Sequence, residues 1–543
     1  MILLLIVYLV YLIYASMETM HMLQQNLYNE NNRYLKWIKK NIRKAFSIFD
    51  LVPIILFVVI IFINDKETID FLLIGSMFIY LFNFYREYQK NKANQNKIPL
   101  KGTGRIKRLF LTNFTIHCVI IFFTYRFSLN HNYKMEGIFL IILALMIFFR
   151  YLVIFISNLI NAPLNSIIYY HYYRKAKKRL KDNTNLQVVG VTGSYGKTSC
   201  KNILQEILSS KYITRATPKN YNTPYGLMLT INNNLDKFDE ILIAEMGAYR
   251  PGRIKNLCDF VEPKYGILTV IGEAHLETFK SRENIQKTKF ELIESLPSDG
   301  VAILNIDDPY QVKYNLKNKV KVKWIGIDNK KADVYATNVK CSSKGMSFTC
   351  HIRDREDIKL ETRLLGEYNI YNILAAVALA VEMNVDLEDI KSSVHALRST
   401  EHRLELKKVG KIFMLDDAYN SNPVGAKGAL EVLSSMPGTK VVVTPGMVEL
   451  GKKEAEENYK LGKKISEVCD YVILVGKKKT VDIQKALKDS KFDNDKIFII
   501  NKVMDAYQIC EALKENNKDI YCLFENDLPD IYVEGEKKKW KLN

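Results

Sequence analysis

Cysteine is sparse and unpaired in this sequence: there are eight in 543 residues, and no two form a CxxC arrangement. That spacing excludes a zinc ribbon and a disulfide framework, and in a cytoplasmic body such cysteines are reduced core thiols. Acidic residues are scarce at one end only. Residues 1–185 hold 9 Asp and Glu against 24 Lys and Arg, a net of +15, whereas residues 186–543 hold 50 against 54, a net of +4. The overall charge of +19 therefore belongs to the first third, and no nucleic-acid partner is needed to explain it. The opening stretch lacks a basic leader and an obvious small-residue cleavage site, so it reads as an uncleaved anchor and not as a signal peptide. Length alone predicts about three or four domains, and an apolar content of 48% excludes a disordered chain.

Five apolar runs occupy the first third: Ile2–Ala15, Phe46–Ile63, Ile69–Tyr85, Leu109–Tyr125 and Ile138–Ile160. Crossing a hydrocarbon core takes about 17 to 25 helical residues, so the last four are long enough and the first is short. Residues 17–45, 86–108 and 171–181 carry six, eight and six Lys and Arg, while residues 64–68 and 126–137 carry one and two. Such residues collect in short cytoplasmic loops. The pattern predicts about five spans, an external N-terminus and a cytoplasmic C-terminal body; laying the first run on the membrane surface gives four spans and the same body. Arg150 lies inside the fifth run. It either faces protein or an aqueous pocket, or snorkels from a shifted helix boundary.

The soluble two thirds begin with Gln187–Val191, a buried strand in pattern, followed by Thr192-Gly193-Ser194-Tyr195-Gly196-Lys197-Thr198-Ser199 and a helical run from Cys200 to Ser209. Strand, glycine loop and helix surround a phosphate with backbone N–H groups, Lys197 adds charge, and Thr198 adds a hydroxyl for magnesium. The spacing departs from the general phosphate loop, because Val191 stands where its first glycine would.

The variant TGSxGKT resembles the Mur ligase superfamily, ATP-dependent amide-forming enzymes of cell-wall precursor synthesis. The resemblance runs from about residue 187 to the C-terminus, and it is greatest to the MurF type, which adds D-alanyl-D-alanine to UDP-N-acetylmuramoyl-tripeptide. It is carried by Thr217-Pro218-Lys219-Asn220-Tyr221-Asn222, Glu245-Met246-Gly247-Ala248, Ile271-Gly272-Glu273-Ala274-His275-Leu276-Glu277, Gly366-Glu367-Tyr368-Asn369-Ile370-Tyr371-Asn372, Asp416-Asp417-Ala418-Tyr419-Asn420-Ser421-Asn422-Pro423 and Val448-Glu449-Leu450-Gly451. The implied layout is α/β: a transmembrane helical region over 1–165, a basic juxtamembrane linker over 166–185, a central ATP-binding domain with a parallel sheet over 186–402, and a C-terminal Rossmann-like domain over 403–543.

Residue chemistry stands beside this resemblance. Glu240–Glu245 is an apolar strand ending in a carboxylate, and ligands gather at such strand ends, so Glu245 is placed for the magnesium that bridges ATP phosphates. A lone His275 is ordinarily a surface group, but the resemblance implies that it helps bind a second magnesium. In the helical run Glu283–Leu296, Ile285, Leu292, Ile293 and Leu296 fall at offsets 0, 7, 8 and 11, and offset 4 falls on Lys289. Lys289 therefore points along the inward stripe or snorkels past its edge, and buried lysines lose proton affinity. The resemblance implies a carbamylated Lys289, a metal-binding anion. Asn369 and Asn372 lie one turn apart and either cap and turn the chain or read adenine, their role by resemblance. The resemblance further implies Arg403 at the ATP phosphates, Asp417 at the ribose, and Asn220 and Asn222 toward substrate. Strands are expected within 320–365 and at Ile412–Leu415, Lys440–Thr444, Tyr471–Val475 and Lys496–Ile500.

The expected partners are ATP, two magnesium ions, a muramyl-peptide or lipid-linked acceptor with an amino acid or dipeptide, and the bacterial cytoplasmic membrane. Members of the MurF type begin with a soluble domain for the uridine diphosphate, and here apolar runs take its place. Competing expectations are a membrane-associated polyglutamate synthetase, a MurT-like amidating subunit, for which the cysteine ribbon is missing, and a membrane ATP-binding scaffold or transport regulator without ligase turnover.

Overall fold

The computed structural model describes residues 1–63, 65–93, 99–130, 132–273, 276–410, 412–419, 421–448, 450–501, 503–513 and 519–526. The chain divides into two compact units, one ending at His171 and the other beginning at Tyr172.

The first unit is helical. Ile2–Gln25, the start of Lys66–Ala93, and Gly104–Leu129 are long and apolar enough to cross a membrane. Two further apolar helix pairs are bent, Ile42–Asp50 with Val52–Phe62 by 43° and Tyr133–Phe148 with Arg150–Ile160 by 88°. Counting each pair as one span gives the five expected from sequence. The first helix is not short: it continues from Ala15 to Gln25 because the polar Ser16, Thr19 and His21 are buried among neighbouring helices, where Asn113 donates to Ser16 Oγ at 3.1 Å. Arg150, at the sharper bend, does not snorkel. Its guanidinium is buried 2.5 Å from Asp50 Oδ2 and 3.8 Å from Glu87 Oε1. Asp50 sits at the other bend and also accepts from Tyr11 Oη at 2.9 Å and Asn83 Nδ2 at 3.2 Å. A buried carboxylate with three donors and an arginine with two carboxylates satisfy each other where water is excluded. The segment 166–185, expected as a linker, lies largely in the helix Ala162–Asp182.

The described strands of the second unit form two sheets. The first contains β1 (Gln187–Thr192), β2 (Thr214–Ala216), β3 (Ile241–Glu245), β4 (Tyr265–Leu268), β5 (Val301–Asn305), β6 (Lys321–Gly326), β7 (Val334–Ser342), β8 (Gly345–Ile352) and β9 (Ile358–Thr362) in the order β2-β3-β1-β4-β5-β6-β7-β8-β9. Pairing is parallel through β7 and antiparallel from β7 to β9. Every residue of β3 and β5 is buried, as strands covered by helices on both faces require. The strand order reverses direction about β1, and the crevice at such a switch point is where ligands bind.

The second sheet contains β10 (Glu405–Val409), β11 (Ile412–Asp417), β12 (Thr439–Thr444), β13 (Tyr471–Val475), β14 (Ile497–Ile500) and β15 (Ile520–Glu525), ordered β10-β11-β15-β12-β13-β14. All neighbours are parallel except β10 with β11. Four of these strands match the sequence expectation. The apolar run Ile520–Phe524 was not among the expected strands, yet it lies between β11 and β12 and runs the full length of β11 in register.

Candidate functional site

β1 ends at Thr192, and the loop Gly193–Gly196 leads straight into the helix Lys197–Leu208. Glycine is required twice. Gly193 has φ 152° and a Cβ there would lie 1.9 Å from Thr269 Oγ1; Gly196 has φ 78° and its Cβ would lie 2.9 Å from Asn372 Oδ1. The resulting turn points the unpaired N–H groups of a helix N-terminus into the crevice. Ser194 Oγ braces the loop by donating to the Gly272 carbonyl at 2.9 Å. Lys197 is folded over the loop, its Nζ donating to the Gly193 and Ser194 carbonyls at 2.9 and 3.1 Å. Burial holds its ammonium below the usual lysine range, the nearby Glu245 opposes that, and Arg403 adds to it.

Val191 of β1 pairs in register with Glu245 of β3, which brings the two strand ends together. Thr198 Oγ1 donates to Glu245 Oε2 at 3.0 Å, and Asn222 Nδ2 donates to Oε1 at 3.0 Å. A third contact was not expected from sequence. Lys201, one turn past Lys197, places its Nζ 3.2 Å from Glu245 Oε2 and donates to the Thr217 and Lys219 carbonyls at 2.7 and 2.5 Å. The available signal was the four-residue spacing from Lys197, which puts both lysines on one helix face. The Thr198 hydroxyl and the Glu245 carboxylate together fit magnesium, which takes one or two protein oxygens and completes its shell with phosphates and water. Among the described residues no group of three or more His, Cys, Asp and Glu forms a metal site, and His275 lies outside the described residues.

Lys289 points inward as the stripe predicts. It is 3% exposed in the helix Arg282–Glu294, whose Ile285, Leu292 and Ile293 are fully buried. Burial, and then the charge of Lys197, hold its amine well below the usual lysine range.

The remaining expected residues come from later elements. Asn372 Nδ2 donates to Asn369 Oδ1 at 3.1 Å, and Asn369 donates to the Leu365 carbonyl at 2.8 Å, so the two amides share one face of the helix Tyr368–Glu382. The Arg403 guanidinium lies 4.3 Å from the Tyr419 ring centre. Tyr419 Oη accepts from Asn220 Nδ2, joining the loop after β2 to the second sheet. Asp417, at the end of β11, accepts from the Leu404 N–H at 3.2 Å, and burial pushes its carboxyl up to about 6 against the pull of Arg403.

These groups converge. A cavity of about 680 Å³ is lined by Ser194, Gly196, Lys197, Thr198, Ser199, Asn220, Asn222, Glu245, Asn372, Arg403 and Asp417. A second, of about 570 Å³, shares Ser199 and Arg403 and adds Asn369. Gly193 and Lys289 line neither, Gly193 acting through the loop backbone. The wall also contains Glu525, from the strand that sequence reasoning missed. Its signal was an apolar run ending in a carboxylate, the same pattern as Glu240–Glu245.

Known proteins resemble the second unit in sequence and fold. Residues 191–380 match the Mur ligase middle domain, and residues 402–524 match the Mur ligase glutamate ligase domain. The UDP-N-acetylmuramoyl-tripeptide--D-alanyl-D-alanine ligase of Bacillus subtilis is 33% identical over 335 residues, covering 61% of this chain and 70% of that protein. The corresponding ligase of Buchnera aphidicola is 31% identical over 346 residues, covering 63% and 75%. Among solved structures, MurF from Acinetobacter baumannii superposes with a TM-score of 0.60 at 26% identity, covering 66% of this chain and 77% of that one. MurF from Thermotoga maritima, solved in complex with ADP, gives 0.58 at 28% identity, covering 67% and 81%. The chain therefore belongs to the Mur ligase family of ATP-dependent ligases.

Proposed function

We propose that this chain is a MurF-type peptide ligase that joins D-alanyl-D-alanine, or another amine, to a muramyl tripeptide or related envelope precursor. The convergence of Lys197, Thr198 and Glu245 at the ends of β1 and β3, facing Arg403 and Asp417 across one cavity, carries this reading. The phosphate loop holds the ATP tail with its N–H groups, and Lys197 shifts from the loop carbonyls to the terminal phosphate. An acceptor carboxylate oxygen then attacks that phosphorus and ADP leaves, giving an acyl phosphate. The nitrogen of the amine attacks the acyl carbon, phosphate leaves, and one proton is released. Magnesium, held by Thr198 and Glu245, would offset phosphate charge. Asn369 and Asn372 face the base, Asp417 the ribose, and Asn220 and Asn222 the acceptor side. A carbamylated Lys289, with His275, would hold a second magnesium.

The apolar helices of the first unit support a multi-pass protein of the bacterial cytoplasmic membrane, with the ligase domains in the cytoplasm as the basic loops require. They also favour a second reading of the acceptor, in which the muramyl peptide is linked to a lipid. Mass spectrometry of products from purified protein given ATP, D-alanyl-D-alanine and either UDP-linked or lipid-linked muramyl tripeptide tests both. The expected product is the pentapeptide. ATP turnover indifferent to every acceptor and amine would leave the scaffold reading in place of a ligase.

A further inference from the structure

Glu525 is the last residue of β15, and its Cα is the register partner of Asp417 on β11. Parallel neighbours in register put their side chains on the same face. The two carboxyls therefore stand side by side at the strand ends, above the buried Leu415 and Leu523. Glu525 is 1% exposed yet lines the large cavity. Its Oε1 accepts from Ser421 Oγ at 2.5 Å, and its Oε2 has no hydrogen-bond partner among the described residues. An orphaned buried carboxylate oxygen is costly unless a ligand completes it. Burial and the adjacent Asp417 push the Glu525 carboxyl well above the usual range, while Ser421 and Arg403 pull the other way. Among the described residues Arg403 is the cation that acts on both carboxyls, so with both ionised a second positive charge would balance the pair.

A ligand that brings a hydrogen-bond donor and positive charge would complete this oxygen and keep both carboxyls ionised. ATP phosphates and the acceptor carboxylate are anions, which two carboxylates repel. Of the reactants in an amide-forming ligation, only the incoming amine arrives as a cation. We propose that Glu525 holds the ammonium of that amine, making the end of β15 the amine-selecting wall of the cavity. This rests on the ligation proposed above. The adjacent Asp417 then faces both the nucleotide and the amine, so the two subsites share one wall.

The test is steady-state kinetics of the full-length protein in detergent with ATP, muramyl tripeptide and D-alanyl-D-alanine. Glu525→Gln keeps an acceptor for Ser421 and removes the charge. Its KM for the dipeptide should rise about 10- to 100-fold, the loss of one charged hydrogen bond, with KM for ATP unchanged. The unchanged ATP value also shows that the variant is folded. Glu525→Asp, which keeps the charge one methylene further back, should give a smaller rise. An unchanged dipeptide KM would overturn the proposal, as would a rise in the ATP KM accompanied by lost discrimination against 2′-deoxy-ATP, which would assign Glu525 to the ribose. Wild-type turnover that no amine stimulates would overturn the ligase reading itself, and this assignment with it.

Discussion

Lys201 and Glu245 form a buried ion pair at 3.2 Å, each side chain 1% exposed, that ties the phosphate-loop helix to the end of β3. Lys201 also holds the carbonyls of Thr217 and Lys219, so a single ammonium organises three segments around the cavity. Lys201→Met would leave the Glu245 carboxylate without its cation, a loss of about 3 to 5 kcal/mol for a broken buried pair. Thermal unfolding should show a clearly lower midpoint. Excess magnesium and ATP should recover part of it, because they supply cation and ligand to the same carboxylate.

Lys197→Ala should leave the fold intact, since among the described residues its side chain bonds only loop carbonyls. Loss of a charge aimed at the transferring phosphoryl group is expected to lower kcat by about 100- to 1000-fold. Phosphate release measured at saturating ATP checks this, and an unchanged kcat would remove Lys197 from the reaction.

Lys289→Ala should abolish most turnover, and a short carboxylate such as acetate should restore part of it. Burial and the charge of Lys197 hold its amine well below the usual lysine range against the pull of Glu291, the direction that favours carbon dioxide uptake by a neutral amine. A variant that is fully active, or one that no carboxylate rescues, would exclude a carbamate at this position.

Asp417 makes stability depend on pH. Its carboxyl is raised in the folded state to about 6. Between the ordinary aspartate range, about 4, and that value, the folded protein keeps a proton that the unfolded chain has released, so stability falls as pH rises through this window. Asp417→Asn should therefore raise the unfolding midpoint at pH 8 and change it little at pH 4. The opposite ranking would mean that Arg403 dominates over burial.

Within the helical unit, Arg150→Met removes from the buried Asp50 the guanidinium that meets it at 2.5 Å, while Glu87 keeps Arg86 at 3.5 Å. The expected loss is about 3 to 5 kcal/mol, seen as a lower yield of folded protein in detergent. Arg150→Met combined with Asp50→Asn should recover part of it, a coupling that independent sites would not show.

The phosphate loop was readable in sequence because its function is local: the strand, the two glycines, the lysine and the helix start are consecutive. Lys289 was readable because helical periodicity says which face is inward, and a lysine on that face is conspicuous. The first helix was underestimated, since a run that stops being apolar at Ser16 looks finished until neighbouring helices bury its polar residues. Arg150 left two readings open, because sequence gives the cost of a membrane-depth charge but not the Asp50 that meets it 100 positions away. Glu525 escaped for a similar reason. Its strand resembles any short apolar run, and only its insertion between β11 and β12 gives its carboxylate a partner and a cavity.

The amino-acid order by itself determined the α/β class, the apolar helices, the phosphate cradle and which side chains could carry its chemistry, because backbone geometry and burial preference act over a few residues. Tertiary structure decided which of those side chains meet. Strand order and register brought Glu245 to Thr198 and Asp417 to Glu525, and helix packing brought Asp50 to Arg150. The Glu245 and Asp50 pairings answer the cost of burying a charge without a partner, a condition imposed on the whole chain at once, whereas strand register alone sets Asp417 beside Glu525.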